Sequence, residues 1–90
     1  MATAKIIVKG IVQGVSFRAF AKRNADGLAL KGYVKNLGDG SVEIHAEGAR
    51  QLIEQLIEIL NEGPPGSKVR SVDVEWLAPS KMFHDFQVIY

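Results

Sequence analysis

Val12-Gln13-Gly14-Val15-Ser16-Phe17-Arg18 is the stretch whose residue types could do chemistry, because it follows an apolar strand-like run and opens a helix-like one. Gly14 relieves the steric limits on a tight turn that exposes backbone N–H groups, and a helix starting just after it aims the positive end of its dipole into the loop. Arg18 adds a planar, permanently charged fork that matches a phosphate-sized dianion. Taken alone, the stretch fits an ordinary strand-to-helix turn equally well, with Gly14 as a bend, Ser16 as an N-cap and Arg18 as a solvated first-turn residue. The other polar candidates carry less. His45 and His84 lack partners at metal-ligand spacing and read as surface or half-buried histidines. No base near Ser16 argues for a nucleophilic serine, so it reads as a cap. Asn36, at the end of a strand-like segment, reads by itself as a turn residue, and Phe17, Phe20, Trp76 and Phe86 read as core aromatics.

Composition narrows the chemistry further. Cysteine is absent, which removes disulfides, cysteine-based zinc sites and any cysteinyl-phosphate intermediate. A formal charge of +1 gives little long-range attraction to nucleic acid, although Lys22, Arg23, Lys31 and Lys35 leave room for a local basic patch. Ninety residues suit a single domain, here expected over residues 1–90. With 47% hydrophobic and 23% charged residues the chain can pack a core. No apolar run approaches the roughly 20 residues of a membrane span. Met1-Ala2-Thr3-Ala4-Lys5 contains no apolar stretch of secretory type, so a cytoplasmic location and no membrane partner are expected.

The elements that must position these residues follow from periodicity. Lys5 to Val12 is rich in β-branched residues and apolar on both faces, which predicts a central strand running straight into the glycine loop. Phe17, Phe20, Ala21, Ala25 and Leu28 recur at helical spacing, and Asp26-Gly27 is expected to end that helix. Lys31 to Leu37 predicts a second strand, joined by the Gly38-Asp39-Gly40 turn to a third over Ser41 to Glu47, where Val42, Ile44 and Ala46 alternate with Glu43, His45 and Glu47. Leu52, Ile53, Leu56, Ile57 and Leu60 define an amphipathic helix that Gly63-Pro64-Pro65-Gly66 ends. Val69 to Trp76 alternates as a fourth strand, and Phe86, Val88 and Tyr90 suggest a short last one. This order predicts an α+β ferredoxin-like sandwich, two helices on one face of a mainly antiparallel sheet. In that topology the first two strands are parallel with the third between them. At a strand spacing of about 4.8 Å, Asn36 then falls about 10 Å across the sheet from the glycine loop.

The chain resembles the acylphosphatase family, small ferredoxin-like enzymes that hydrolyse the carboxyl-phosphate bond, and the resemblance covers almost its whole length. Gly10-Ile11-Val12-Gln13-Gly14-Val15-Ser16-Phe17-Arg18 is similar to the family's first signature, and Gly32-Tyr33-Val34-Lys35-Asn36 followed by Asp39-Gly40-Ser41-Val42 to its second. Gly48, the helix after it, Gly63-Pro64-Pro65-Gly66 and Val69 resemble its later segment. The resemblance implies that Arg18 binds phosphate, that Asn36 orients a water, and that the backbone N–H groups of Gln13, Gly14, Val15, Ser16, Phe17 and Arg18 hold the phosphate. One departure stands out. Many family members carry glycine where this chain has Ala29, and a glycine lies two residues earlier at Gly27, so the first helix is expected to end differently.

These groups suffice for the implied reaction. Phosphoryl transfer is promoted mainly by positioning and by neutralising charge on the equatorial oxygens. A departing carboxylate, whose conjugate acid has a pKa of about 4, needs no general acid near neutral pH. Asn36 can orient water without titrating. The expectation is therefore direct hydrolysis of a small-molecule acyl phosphate to carboxylate and inorganic phosphate by a monomer, without metal or cofactor, with the product phosphate as an inhibitor. Two other readings share the fold. Lys31-Gly32-Tyr33 resembles the start of an RNA-recognition motif, but Asn36 and Leu37 stand where base-stacking aromatics are needed, so no nucleic-acid partner is expected. A non-catalytic phosphate-binding regulatory domain is separable only by its activity.

Overall fold

Ala4, Ile6 and Val8 are fully buried while Lys5, Ile7 and Lys9 between them keep some exposure, and this period of two builds β1 over Ala2–Ile11. The computed structural model describes residues 1–90. After β1 come α1 (Phe17–Gly27), β2 (Lys31–Asn36), β3 (Val42–Gly48), α2 (Arg50–Glu62), β4 (Lys68–Leu77) and β5 (Phe86–Ile89). The five strands form one sheet in the order β4-β1-β3-β2-β5. Every pairing is antiparallel except β2 with β5, where Gly32 stands opposite Phe86 and Lys35 opposite Ile89. The expected ferredoxin-like sandwich is thus present, with a fifth strand added beside β2. β1, expected as a central strand, is interior, and the centre of the sheet is β3. No helix is long and apolar enough to cross a membrane.

Each helix buries one stripe at helical spacing, Phe17, Ala21 and Ala25 on α1 and Ile53, Leu56 and Leu60 on α2. These meet Ile6, Val8, Val34, Val42 and Ile44 of the sheet in one continuous core. Where the helices rest on the sheet edges, cations do part of the joining. Lys22 of α1 donates to the Phe86 carbonyl of β5 at 2.9 Å. Arg50 of α2 lies 4.1 Å over the Trp76 ring of β4. The close approach of β2 to β3 needs a glycine at Gly32, whose φ is +138° and where a Cβ would collide with the His45 carbonyl oxygen.

α1 ends at Gly27 as expected, and the left-handed turn that follows is taken two residues later at Ala29, with φ +57°, after the Leu28 N–H has bonded to the Asn24 and Ala25 carbonyls. The expected strand limits shift: β1 starts at Ala2 and stops at Ile11, β2 ends at Asn36, and β3 runs from Val42 to Gly48.

On the outer face of β3 two carboxylates are buried. Glu43 is 8% exposed and Glu47 only 2%. The reason is tertiary: the segment joining β4 to β5 crosses this face and seats itself on Glu47. The Glu47 carboxylate accepts the Ser80 hydroxyl at 2.7 Å, the Met82 N–H at 3.1 Å and the Phe83 N–H at 3.1 Å. His45 Nε2 lies 3.2 Å from the same group. Burial acts to raise the Glu47 pKa, but the hydrogen bonds from Ser80, His45, Met82 and Phe83 together outweigh it and hold the carboxyl below its usual range. The Phe83 ring closes on the stacked Tyr33 and His45 rings, at centroid separations of 5.7 and 5.3 Å. Beside them Tyr33 donates its hydroxyl to Glu43 at 2.7 Å. Burial first, and that carboxylate second, push the phenol up to about 12.

Candidate active site

β1 delivers the chain into the loop at Val12, and the loop backbone is left-handed at Gly14 (φ +77°) and Ser16 (φ +61°) with Val15 between them. Alternation of this kind turns successive N–H groups towards one concavity, the arrangement that receives anions. Gly14 takes this conformation without strain. Ser16, expected as a side-chain cap, makes no cap hydrogen bond. Its left-handed backbone is not the extended geometry in which a hydroxyl reaches back to the helix N–H groups. The Ser16 carbonyl nonetheless accepts the first helical bond, from Phe20 N–H at 3.0 Å. The N–H groups of Gly14, Val15, Ser16, Phe17 and Arg18 donate to no other backbone group.

Four of the residues that carry these donors, Gly14, Ser16, Phe17 and Arg18, border a cleft of about 340 Å³. Val12, Gly14 and Ser16 line it from the loop, Phe17, Arg18 and Ala19 from the first turn of α1, Asn36 from the end of β2, and Tyr90 from just after β5. Arg18 has the only charged side chain in this lining. The structure therefore brings Arg18 and Asn36 to one cavity from parallel strand ends, as the topology requires. The Asn36 carboxamide has no hydrogen bond to any protein group, as the side-chain bonds of this region all run between other residues. Gln13 and Val15 stand outside the lining: Val15 packs against the core, and the Gln13 side chain bonds to the β2–β3 turn. Nowhere do three His, Asp or Glu side chains converge in a way that could hold a metal ion.

Two partners of Arg18 escape a reading of local sequence. Its Nη1 donates to the Ile89 carbonyl at 3.1 Å, and its guanidinium carbon lies 4.6 Å from the centre of the Tyr90 ring. Arg18 and Lys22, one turn apart on α1, both donate to carbonyls of β5, so the edge strand orients the guanidinium while its remaining N–H groups stay free of protein acceptors. The alternation of Phe86, Val88 and Tyr90 signals a strand, but no local signal says that it lies parallel to β2 beside the start of α1.

A mixed sheet under two helices, with a donor-rich cleft where the parallel β1 and β2 end, defines a small ferredoxin-like α+β domain. Comparison with known proteins gives the particular family. Residues 4–88 match the family model described as acylphosphatase. An acylphosphatase of Thermotoga petrophila is 46% identical over 90 residues, covering 100% of this chain and 99% of that one. An acylphosphatase of Caldivirga maquilingensis is 48% identical over 87 residues, covering 96% and 92%. The crystal structure of acylphosphatase from Bacillus subtilis superimposes with a TM-score of 0.96 at 41% identity, covering 100% of both chains. The chain belongs to the acylphosphatase family and is an enzyme of the hydrolase class.

Proposed function

We propose that this protein hydrolyses the carboxyl-phosphate bond of small acyl phosphates through direct attack of water, with no metal. The observation that carries the reading is the meeting at one cleft, lined by no Asp or Glu, of loop residues whose N–H groups have no backbone acceptor, the Arg18 guanidinium and the unbonded Asn36 carboxamide. The N–H groups and Arg18 hold the three non-bridging phosphoryl oxygens and neutralise their charge as the transition state forms. Asn36 holds the attacking water by its amide and aligns it with the bond that breaks. A P–O bond forms to the water oxygen, and the P–O bond to the acyl oxygen breaks. The electron pair leaves on a carboxylate stable enough to need no proton, and the proton released by water is taken up by phosphate or solvent. Inorganic phosphate fits the same donors and competes with substrate.

Hydrolysis of benzoyl phosphate by the purified protein tests the reading, with and without chelator. Full activity in chelator is expected. Loss of activity that magnesium or zinc restores would overturn the metal-free mechanism. Arg18→Lys keeps the charge but replaces an oriented fork by a flexible point charge, and should lower kcat/KM by about 100-fold or more while weakening phosphate inhibition. Wild-type kinetics in the folded variant would remove Arg18 from the site.

A further inference from the structure

β1 and β2 are not neighbours: β3 lies between them, and β3 begins only at Val42, opposite Asn36 and Val8. Beyond that level, where the cleft lies, no strand bridges the gap between the glycine loop and the end of β2. The Gln13 side chain does. Its Nε2 donates to the Leu37 carbonyl at 2.8 Å and to the Ser41 carbonyl at 2.9 Å. Both acceptors are carbonyl oxygens, so the NH₂ end of the amide must be the end that faces them. Leu37 is the residue after Asn36. Ser41 closes the turn by accepting the Leu37 N–H at 2.8 Å. One half-buried amide thus fixes both arms of the β2–β3 turn to the loop that carries the N–H cradle.

We infer that Gln13 is a positioning residue that sets the distance and angle between the Asn36 carboxamide and the phosphate cradle, resting on the water-orienting role proposed for Asn36. Its side chain lines no part of the cleft and so touches neither phosphate nor water. Its effect is exerted through the backbone at Leu37. An attacking water displaced by about 1 Å can slow a reaction by about 100-fold, whereas the cradle is built from backbone N–H groups and Arg18 and does not depend on this amide for its donors.

The test is the pair Gln13→Met and Asn36→Ala with their double variant, assayed for kcat on benzoyl phosphate and for the inhibition constant of inorganic phosphate. Gln13→Met keeps the length of the side chain and removes both donors. It should lower kcat by about 10- to 100-fold and leave phosphate inhibition within about threefold of wild type. Combined with Asn36→Ala it should add little, because both substitutions abolish one function. If Asn36→Ala is slow but the double variant loses the full product of the two effects, Gln13 acts elsewhere and the inference fails alone. If phosphate inhibition weakens as much as kcat falls, Gln13 shapes the cradle rather than Asn36, and the inference again fails. If Asn36→Ala itself runs at the wild-type rate, the water-orienting reading falls and the inference with it. Gln13→Asn keeps the amide but shortens its stem by one methylene, and should show the same split should Gln13→Met fold poorly.

Discussion

Among the cleft residues the division of labour is sharp enough to be measured. Asn36→Ala removes the free carboxamide and leaves the N–H cradle and Arg18 in place, so turnover should fall more than phosphate affinity. Steady-state kinetics with phosphate as competitive inhibitor check this once the variant's fold is verified, and a proportional loss of both would make Asn36 a binding residue. The positions of Arg18 and Asn36 are legible in sequence because each ends or begins an element of strong periodicity. Parallel strands then place them in one cleft. Gln13, Ile89 and Tyr90 are not legible in the same way. Gln13 sits in the quoted signature, but the signature does not say which of its atoms matter, and two carbonyls 24 and 28 positions away decide it. The clamp on Arg18 depends on how β5 pairs, which the four residues of β5 do not state by themselves.

Local chemistry sets the elements, and tertiary contacts decide what it leaves open. Both helices and all five strands lie within a few residues of where periodicity puts them, whereas the left-handed turn at Ala29 and the burial on the outer face of β3 do not follow from their own residues. At the end of α1 the glycine stands at Gly27, in the helix, and the residue that needs left-handed backbone is Ala29. An alanine there bears about 1–2 kcal/mol of steric strain that glycine would not. Ala29 is exposed and its methyl group is not part of the core. Ala29→Gly should therefore stabilise the fold by about 1 kcal/mol, less whatever the glycine adds to unfolded-chain entropy. Thermal unfolding should show a midpoint about 4–8 °C higher per kcal/mol gained, and an unchanged or lower midpoint would refute the strain. On β3, alternation predicts which way Glu47 points but not that a segment more than 30 residues later will bring Ser80, Met82 and Phe83 down on it.

For the molecule as a whole, Glu47 ties stability to acidity. Its carboxyl is held below the ordinary range in the fold, whereas in the unfolded chain it titrates near about 4.3. The folded state therefore binds its proton less readily. The stabilisation is fully present above about pH 4.3 and is lost as pH falls through the folded value. Asp39, lowered chiefly by its hydrogen bonds from Ser41, acts in the same direction. Glu47→Gln should lower stability near neutral pH by about 1–3 kcal/mol, because buried N–H groups lose a charged acceptor. Urea midpoints measured from pH 7 to 3 should show the gap between the two proteins narrowing below about pH 4.3. A gap that stays constant would mean that the strap is held by something other than this charge. The sheet order brings together strands distant in sequence, with only β2 and β3 forming a simple hairpin, so folding is expected on the slow, millisecond-to-second side for a domain of this size. The contact between Arg50 and Trp76 gives that process its own light. Trp76 is the only tryptophan, and it sits on the edge strand β4, while Asn36 and Tyr90 hold the cleft from the β2–β5 side. Its fluorescence will report the docking of α2 on β4 and stay silent when phosphate enters. Emission at indole wavelengths thus times folding free of interference from ligand, and occupancy must be followed at Tyr90, the one of the two tyrosines that lines the cleft.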